Sequence, residues 1–288
     1  MRVYFETPPD DRALARINNA FTLYAPESIQ IVDNRDNADL VIIHVVGRHD
    51  RVLSLAEHLA NEGKKFAVLQ HALRRTLKPS TESWLPLWQK AEVVVSFLNL
   101  PVLCREDQEL ANFNFYYTPL GADAAIFKPT NVEKKFIIAT SGPDYLTEGV
   151  REAVKAARKV GRPVFHVGRE LHLGEDVECS KGISDNLLAE HYSACEFVSG
   201  LRRFEGFELP AAEGFLCGAR PIMFDRPHYR AWFNEFAVFI PENSRAEVID
   251  SLEVIFRNGA RPITPSEINL AKERFNWERI ASGFWERL

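Results

Sequence analysis

Phe204-Glu205-Gly206-Phe207-Glu208-Leu209-Pro210-Ala211-Ala212-Glu213-Gly214-Phe215-Leu216-Cys217-Gly218-Ala219-Arg220-Pro221 reads as a loop that enters a helix and leaves it into a strand. Pro210 suits a first helical turn, where its missing N–H costs nothing, and Gly218 suits a left-handed stop. A helix is therefore expected over 210–217, with its amino end aimed at whatever residues 205–209 contact. The unpaired N–H groups and positive dipole end there form a seat for phosphate that needs no metal ion.

Working outward, short β-branched runs alternate with longer amphipathic ones, the pattern of βαβ units and a parallel sheet. In the first half, strands are expected at 2–5, 29–32, 40–45, 66–69, 93–97 and 115–117, with helices at 12–23, 51–62 and 84–89. Near Phe127-Lys128-Pro129-Thr130-Asn131 a polar, proline-containing link interrupts the pattern before a new strand at 136–139. The second half repeats the grammar, with strands at 164–167, 195–199, 221–224 and 238–240 and helices at 147–160, 185–193, 210–217 and 244–258. The fold class is α/β. Two Rossmann-like domains are expected, 1–128 and 129–274, with a terminal helix over 275–288 that packs back toward the first. Their parallel sheets would face an interdomain cleft, where open α/β sheets bind ligands.

Bulk properties narrow the function. A chain of 288 residues, 46% hydrophobic and 26% charged, has enough apolar material for two cores. A net charge of −5 supplies no general field for nucleic acid. No apolar run approaches the roughly 20 residues that a membrane helix requires. Met1-Arg2-Val3-Tyr4-Phe5-Glu6 turns polar before a secretory core forms, so a cytoplasmic location is expected. Cys104, Cys179, Cys195 and Cys217 are too scattered for a zinc site or redox dithiol and read as structural thiols.

Glu205 lies in the loop and Glu213 about one turn inside the helix, so each can meet a different part of one ligand. A carboxylate accepts a pair of sugar hydroxyls well, and one beside an anomeric carbon stabilises the oxocarbenium-like charge of glycosyl transfer. The other reading is two acids that simply complement a helix dipole.

Glu205, Gly206, Phe207, Leu209, Pro210, Glu213, Cys217, Gly218, Pro221 and Ile222 together resemble the signature of the retaining GT-B glycosyltransferases of family four. The approach Asn186-Leu187-Leu188-Ala189-Glu190-His191-Tyr192-Ser193-Ala194-Cys195 is similar to that family's, as are Pro119-Leu120-Gly121-Ala122-Asp123, Phe127-Lys128-Pro129 and Phe275-Asn276-Trp277-Glu278. The resemblance implies a UDP- or GDP-linked sugar as donor substrate, no cofactor and no metal. It implies Glu205 at the reacting centre, Glu213 on the ribose hydroxyls, and the backbone from Gly206 through Phe207 and Glu208 to Leu209 on sugar and diphosphate. His71, at a strand end, resembles a family histidine that contacts the donor sugar, its other reading being a polar terminus.

The sequence also departs from that pattern. Where the family carries an arginine and a lysine for the diphosphate, this chain has Ala139-Thr140-Ser141-Gly142 and Glu148-Gly149. Arg203 and Arg169 are the candidate replacements, with Ser141 and Gly142 as hydrogen-bond donors. Glu208 stands in place of a family glycine, with two readings: it points away, or it alters donor choice. Thr7-Pro8-Pro9-Asp10-Asp11 replaces a glycine pair in the first domain. His44 and His49-Asp50 match no common zinc spacing. The expected function is retaining, metal-independent glycosyl transfer. The alternative is a catalytically silent GT-B protein that binds a nucleotide or glycan.

Overall fold

The structure, a computed structural model, describes residues 1–6, 12–46, 49–73, 84–103, 113–142, 147–168, 173–203 and 206–288. The chain divides into two compact units. Unit 1 comprises Met1–Leu120, Gly206 and Phe207, and Trp277–Leu288; unit 2 comprises Gly121–Arg203 and Glu208–Asn276.

In unit 1 the elements run β1 (Arg2–Glu6), α1 (Arg12–Leu23), β2 (Gln30–Ile31), β3 (Leu40–Val45), α2 (His49–Asn61), β4 (Lys65–Gln70), α3 (Leu85–Lys90), β5 (Val94–Ser96), α4 (Leu100–Leu103) and β6 (Phe115–Tyr117). The strands form one six-stranded sheet of order β2-β1-β3-β4-β5-β6, with every pair parallel. All six residues of β3 are buried, which is why it reads as an unbroken apolar run instead of an alternating one. The exception inside that run is His44. Helix α1 turns Leu14, Ile17 and Phe21 onto one buried face at helical spacing.

In unit 2, β7 (Phe136–Ser141), α5 (Val150–Lys159), β8 (Val164–Val167), β9 (Val177–Ser180), α6 (Asp185–Ser193), β10 (Cys195–Gly200), α7 (Leu209–Leu216), β11 (Arg220–Phe224), α8 (Pro227–Phe233), β12 (Val238–Ile240), α9 (Arg245–Asn258) and α10 (Pro265–Arg274) follow one another. The sheet order is β12-β11-β10-β7-β8-β9, again all parallel. Counted within the unit this is the Rossmann order, whose direction of winding reverses between β7 and β10.

The last helix, α11 (Trp277–Trp285), returns to unit 1. Its Phe284 and Trp285 meet Phe21 edge to face at 4.9 and 6.4 Å between centroids, and Trp285 Nε1 donates to the Phe21 carbonyl at 3.0 Å. Such aromatic pairs add to ordinary apolar burial.

The stretch that decides the fold ends as its glycine suggests. Gly218, at φ +89°, donates to the Phe215 carbonyl at 3.0 Å, and Ala219 donates to that of Gly214 at 2.8 Å. These are the two bonds of a Schellman stop, which frees the chain to enter β11. Gly214 has a different reason. A Cβ there would lie 2.8 Å from Val198 Cβ, so only glycine lets α7 lie this close on β10.

Four elements have no counterpart in the sequence reading. Strand β9 is short, at the sheet edge, and carries an exposed glutamate in Val-Glu-Cys-Ser. Helix α4 is a single turn. Helix α8 buries only Tyr229 and Phe233, and α10 only Ala271, so neither leaves a broad apolar stripe. Helix α10 rests instead on a capping box between Thr264 and Glu267 with a proline in its first turn.

Candidate functional site

The reversal between β7 and β10 puts the ends of those strands at the position where open α/β sheets take ligands. Ser141 and Gly142 end β7, Leu201, Arg202 and Arg203 follow β10, and Glu208 caps α7. The structure thus gathers Ser141, Gly142, Arg203, Glu208, Leu209 and Glu213 within unit 2. Gly206 and Phe207 group with unit 1, where Phe207 lies 5.6 Å from Phe97 between ring centroids. Glu205 and Arg169 lie outside the described residues, as do residues 7–11.

At the start of α7, Ala211 and Ala212 already donate to the Glu208 carbonyl at 3.0 and 3.2 Å. Pro210 has no N–H to offer. An anion approaching this end would therefore meet the amides of Glu208 and Leu209, before the proline. Glu213 sits in the second turn of α7 and is 2% exposed.

Glu208 turns inward. It is 2% exposed, with Oε1 2.9 Å from Arg202 Nε and accepting the Tyr229 hydroxyl at 3.2 Å. Its charge is thereby matched inside unit 2, and burial together with that carboxylate raises the Tyr229 phenol well above its ordinary range. Arg202 also lies 3.7 Å from Glu148. The Glu148 carboxylate rests on Gly142 at the end of β7: a Cβ on Gly142, whose φ is +110°, would fall 1.2 Å from Glu148 Oε2. Gly142 thus makes room for an acid beside the strand end.

Arg203 is held just as firmly. Its Nη2 donates to Glu152 at 2.8 Å, its Nη1 lies 3.7 Å from Glu242, and its guanidinium stacks over Phe224 at 5.0 Å. Glu152 is 2% exposed and also faces Arg245 at 3.5 Å. Arg226 completes the set by donating to the Arg203 carbonyl at 2.6 Å and to Glu242. Sequence reasoning missed Arg202, Glu148 and Tyr229 as a group. The available signal was one substitution, a glutamate for a glycine at 208, beside an unassigned arginine.

Unit 1 holds His44 and His71. His44 Nε2 lies 2.7 Å from Asn18 Oδ1, and His44 Nδ1 lies 2.9 Å from His71 Nε2. His71 follows β4, and its backbone N–H donates to the Val45 carbonyl at 3.0 Å. Burial lowers His71 to about 4 and holds His44 well below its ordinary value. Both imidazoles are neutral at pH 7. His71 also lines a small pocket with Phe21, Leu69, Val95, Phe97 and Thr118.

These shifts predict acid sensitivity. His71, and His228 at about 3, take up their protons more readily in the unfolded chain, whose histidines titrate near 6.5. The unfolded state then binds more protons below pH 6.5, so stability is complete above that value and falls as pH drops toward 4. The expected slope approaches about 1.4 kcal/mol per pH unit for each such histidine. Urea midpoints at pH 7.0, 6.0 and 5.0 check this, and an unchanged midpoint would refute it.

Cys195 and Cys217 are buried, and burial pushes the Cys217 thiol up to about 12. They are unreactive packing residues. Among the described residues no helix is long and apolar enough to cross a membrane, and no group of three or more histidine, cysteine, aspartate or glutamate side chains is arranged to hold a metal ion.

No family model matches the chain, and no curated protein does. Solved structures do. HepE of Anabaena, in complex with UDP and glucose, aligns with a TM-score of 0.72 at 13% identity, over 99% of this chain and 98% of its own. The sucrose-phosphate synthase of Thermosynechococcus elongatus aligns at 0.70 and 15% identity, over 97% and 79%. A glycosyltransferase involved in avilamycin A biosynthesis aligns at 0.64 and 10%, over 99% and 96%. The chain has the fold of the GT-B glycosyltransferases, with two parallel-sheet α/β domains of six strands each.

Proposed function

We propose that this chain is a metal-independent glycosyltransferase that moves a sugar from a nucleotide-linked donor with retention of anomeric configuration. The observation that carries the reading is the amino end of α7. Its Glu208 and Leu209 amides belong to the unit that carries the β7 and β10 ends, at the reversal of a Rossmann sheet, with Glu213 one turn further in. A helix end in that position suits a diphosphate, and Glu213 suits the ribose diol. The sequence context of Glu205 supports a carboxylate at the anomeric carbon. The UDP and glucose bound in HepE make UDP-glucose the first donor to try.

A second reading has its own support. The Glu148 carboxylate beside Gly142, with Arg202 and Arg203 both paired to acids, places compensated charge where a diphosphate would need cations. That suits a protein that binds a nucleotide or glycan without turning it over.

Thermal unfolding with UDP, GDP, UDP-glucose and GDP-mannose tests the donor-binding part. A ligand at a hundredfold excess over its Kd adds about 2.7 kcal/mol, a shift of several degrees. The expected result is stabilisation by one nucleotide series, reduced at least tenfold in affinity by Glu213→Ala. Stabilisation by none of the four would refute the donor-binding reading.

A further inference from the structure

The amino edge of the unit 2 sheet, opposite the strand ends that gather Ser141 and Arg203, carries a cavity of about 220 Å³. Lys134 precedes β7, Glu196 follows Cys195 at the start of β10, and Arg220 begins β11, so three neighbouring parallel strands bring these side chains together. Arg261 joins them from the link between α9 and α10, with Pro262 and Ile263 as an apolar wall. A cavity below the roughly 300 Å³ at which pockets for drug-sized ligands begin takes only a small ligand.

The charges around it do not cancel. Glu196 is met by Arg162 at 2.8 Å. Glu267 is shared by two guanidinium groups, Arg220 at 3.1 Å and Arg261 at 2.6 Å, so it offsets only one of them. Lys134 forms no ion pair among the described residues: its Nζ donates to the carbonyls of Cys195 at 2.5 Å and Gly218 at 2.9 Å. The second bond places the ammonium at the carboxyl end of α7, where a cation complements the helix dipole. That role uses two of its three N–H groups. Donors remain on the arginines as well. Arg220, 3% exposed, directs Nε to the Arg261 carbonyl, Nη1 to Glu267 and the Phe236 carbonyl, and one hydrogen of Nη2 to the Pro262 carbonyl, which leaves the other. Arg261 is exposed and commits only Nη2.

We propose that this cavity binds a phosphoryl group, free or carried by a small ester, on Lys134, Arg261 and Arg220. A phosphate monoester carries about −1.5 to −2 charges at pH 7 and three strong acceptor oxygens. That matches two surplus cations and donors from three side chains. A single carboxylate offers one charge and two oxygens in a plane, and leaves one cation unanswered. The wall of Pro262 and Ile263 accommodates the carbon skeleton of an ester. The site is separate from the amino end of α7, which lies at the other edge of the same sheet.

Calorimetric titration of the full chain with inorganic phosphate, β-glycerophosphate and acetate, at constant ionic strength, tests the proposal. The expected result is one phosphate per chain, with Lys134→Gln and Arg261→Gln each raising the Kd about tenfold, the loss of one charge-assisted hydrogen bond. Glu213→Ala, toward the other edge, should leave that Kd within about twofold. Tighter binding of β-glycerophosphate identifies an ester as the ligand, and equal affinities identify free phosphate. Arg261→Gln changes an exposed side chain and keeps the Thr264 cap of α10, so it decides the matter even where Lys134→Gln, which gives up the bond to Gly218, does not fold. No phosphate binding, or acetate binding as tightly as phosphate, overturns the proposal. So does a phosphate affinity that Arg261→Gln leaves unchanged, since the anion then sits elsewhere.

Discussion

Glu205→Gln is expected to lower donor turnover about a thousandfold while changing the Kd of the nucleoside diphosphate by less than about threefold. Glutamine keeps the size and one acceptor oxygen of glutamate, removes the charge and turns the second oxygen into an amide donor. That charge matters little to the ground-state sugar, which is neutral at its anomeric carbon. It matters as the leaving diphosphate departs and the ring becomes oxocarbenium-like, where a carboxylate in a water-poor site contributes several kcal/mol. The measurement is single-turnover hydrolysis of the nucleotide sugar alongside calorimetric binding of UDP or GDP. Equal losses in turnover and affinity would instead make Glu205 a general binding residue. No turnover in the wild type, with intact nucleotide binding, would favour the silent reading.

Arg203→Met is expected to cost about 3 kcal/mol of stability, because it strands the Glu152 carboxylate inside unit 2. Breaking one side of a buried pair typically costs about 3–5 kcal/mol, since the remaining charge has lost its compensation without regaining water. The figure lies at the lower end because Arg245, 3.5 Å from Glu152 and itself largely exposed, still offsets part of the charge. Replacing both partners, Arg203→Met with Glu152→Leu, should recover most of the loss, since the isolated charge is then gone. Urea unfolding of the two single variants and the double variant checks the cycle. The same proteins also locate the arginine: a guanidinium committed to Glu152 leaves nucleotide affinity near the wild-type value, whereas one serving the diphosphate would lower it by tenfold or more.

Much of the architecture is legible because its signals are local. Leu40-Val-Ile-Ile-His-Val45 announces a doubly covered strand, and Pro210 with Gly218 marks both ends of a helix. The elements that escape notice, β9, α4, α8 and α10, are short or bury few side chains, so their periodicity is faint. The site is less legible for a different reason. Residue type at 208 announces a charge but not its direction, which Arg202 and Tyr229 decide from elsewhere in unit 2. Glu148 and Gly142 meet across six positions of sequence, a contact no spacing rule contains. Likewise, Asn18, His44 and His71 each look ordinary alone, and only the parallel register of β3 and β4 with α1 across them joins the three.

Because Phe21 on α1 takes its aromatic partners from α11, the unit whose strands come earlier in the sequence is the later one to be completed. Its sheet can pair while synthesis continues, yet the apolar face of α1 waits until residues 277–288 emerge, well after unit 2 has its full set of strands. The amino-terminal sheet unit is therefore closed by a segment that follows every strand of the second unit along the chain.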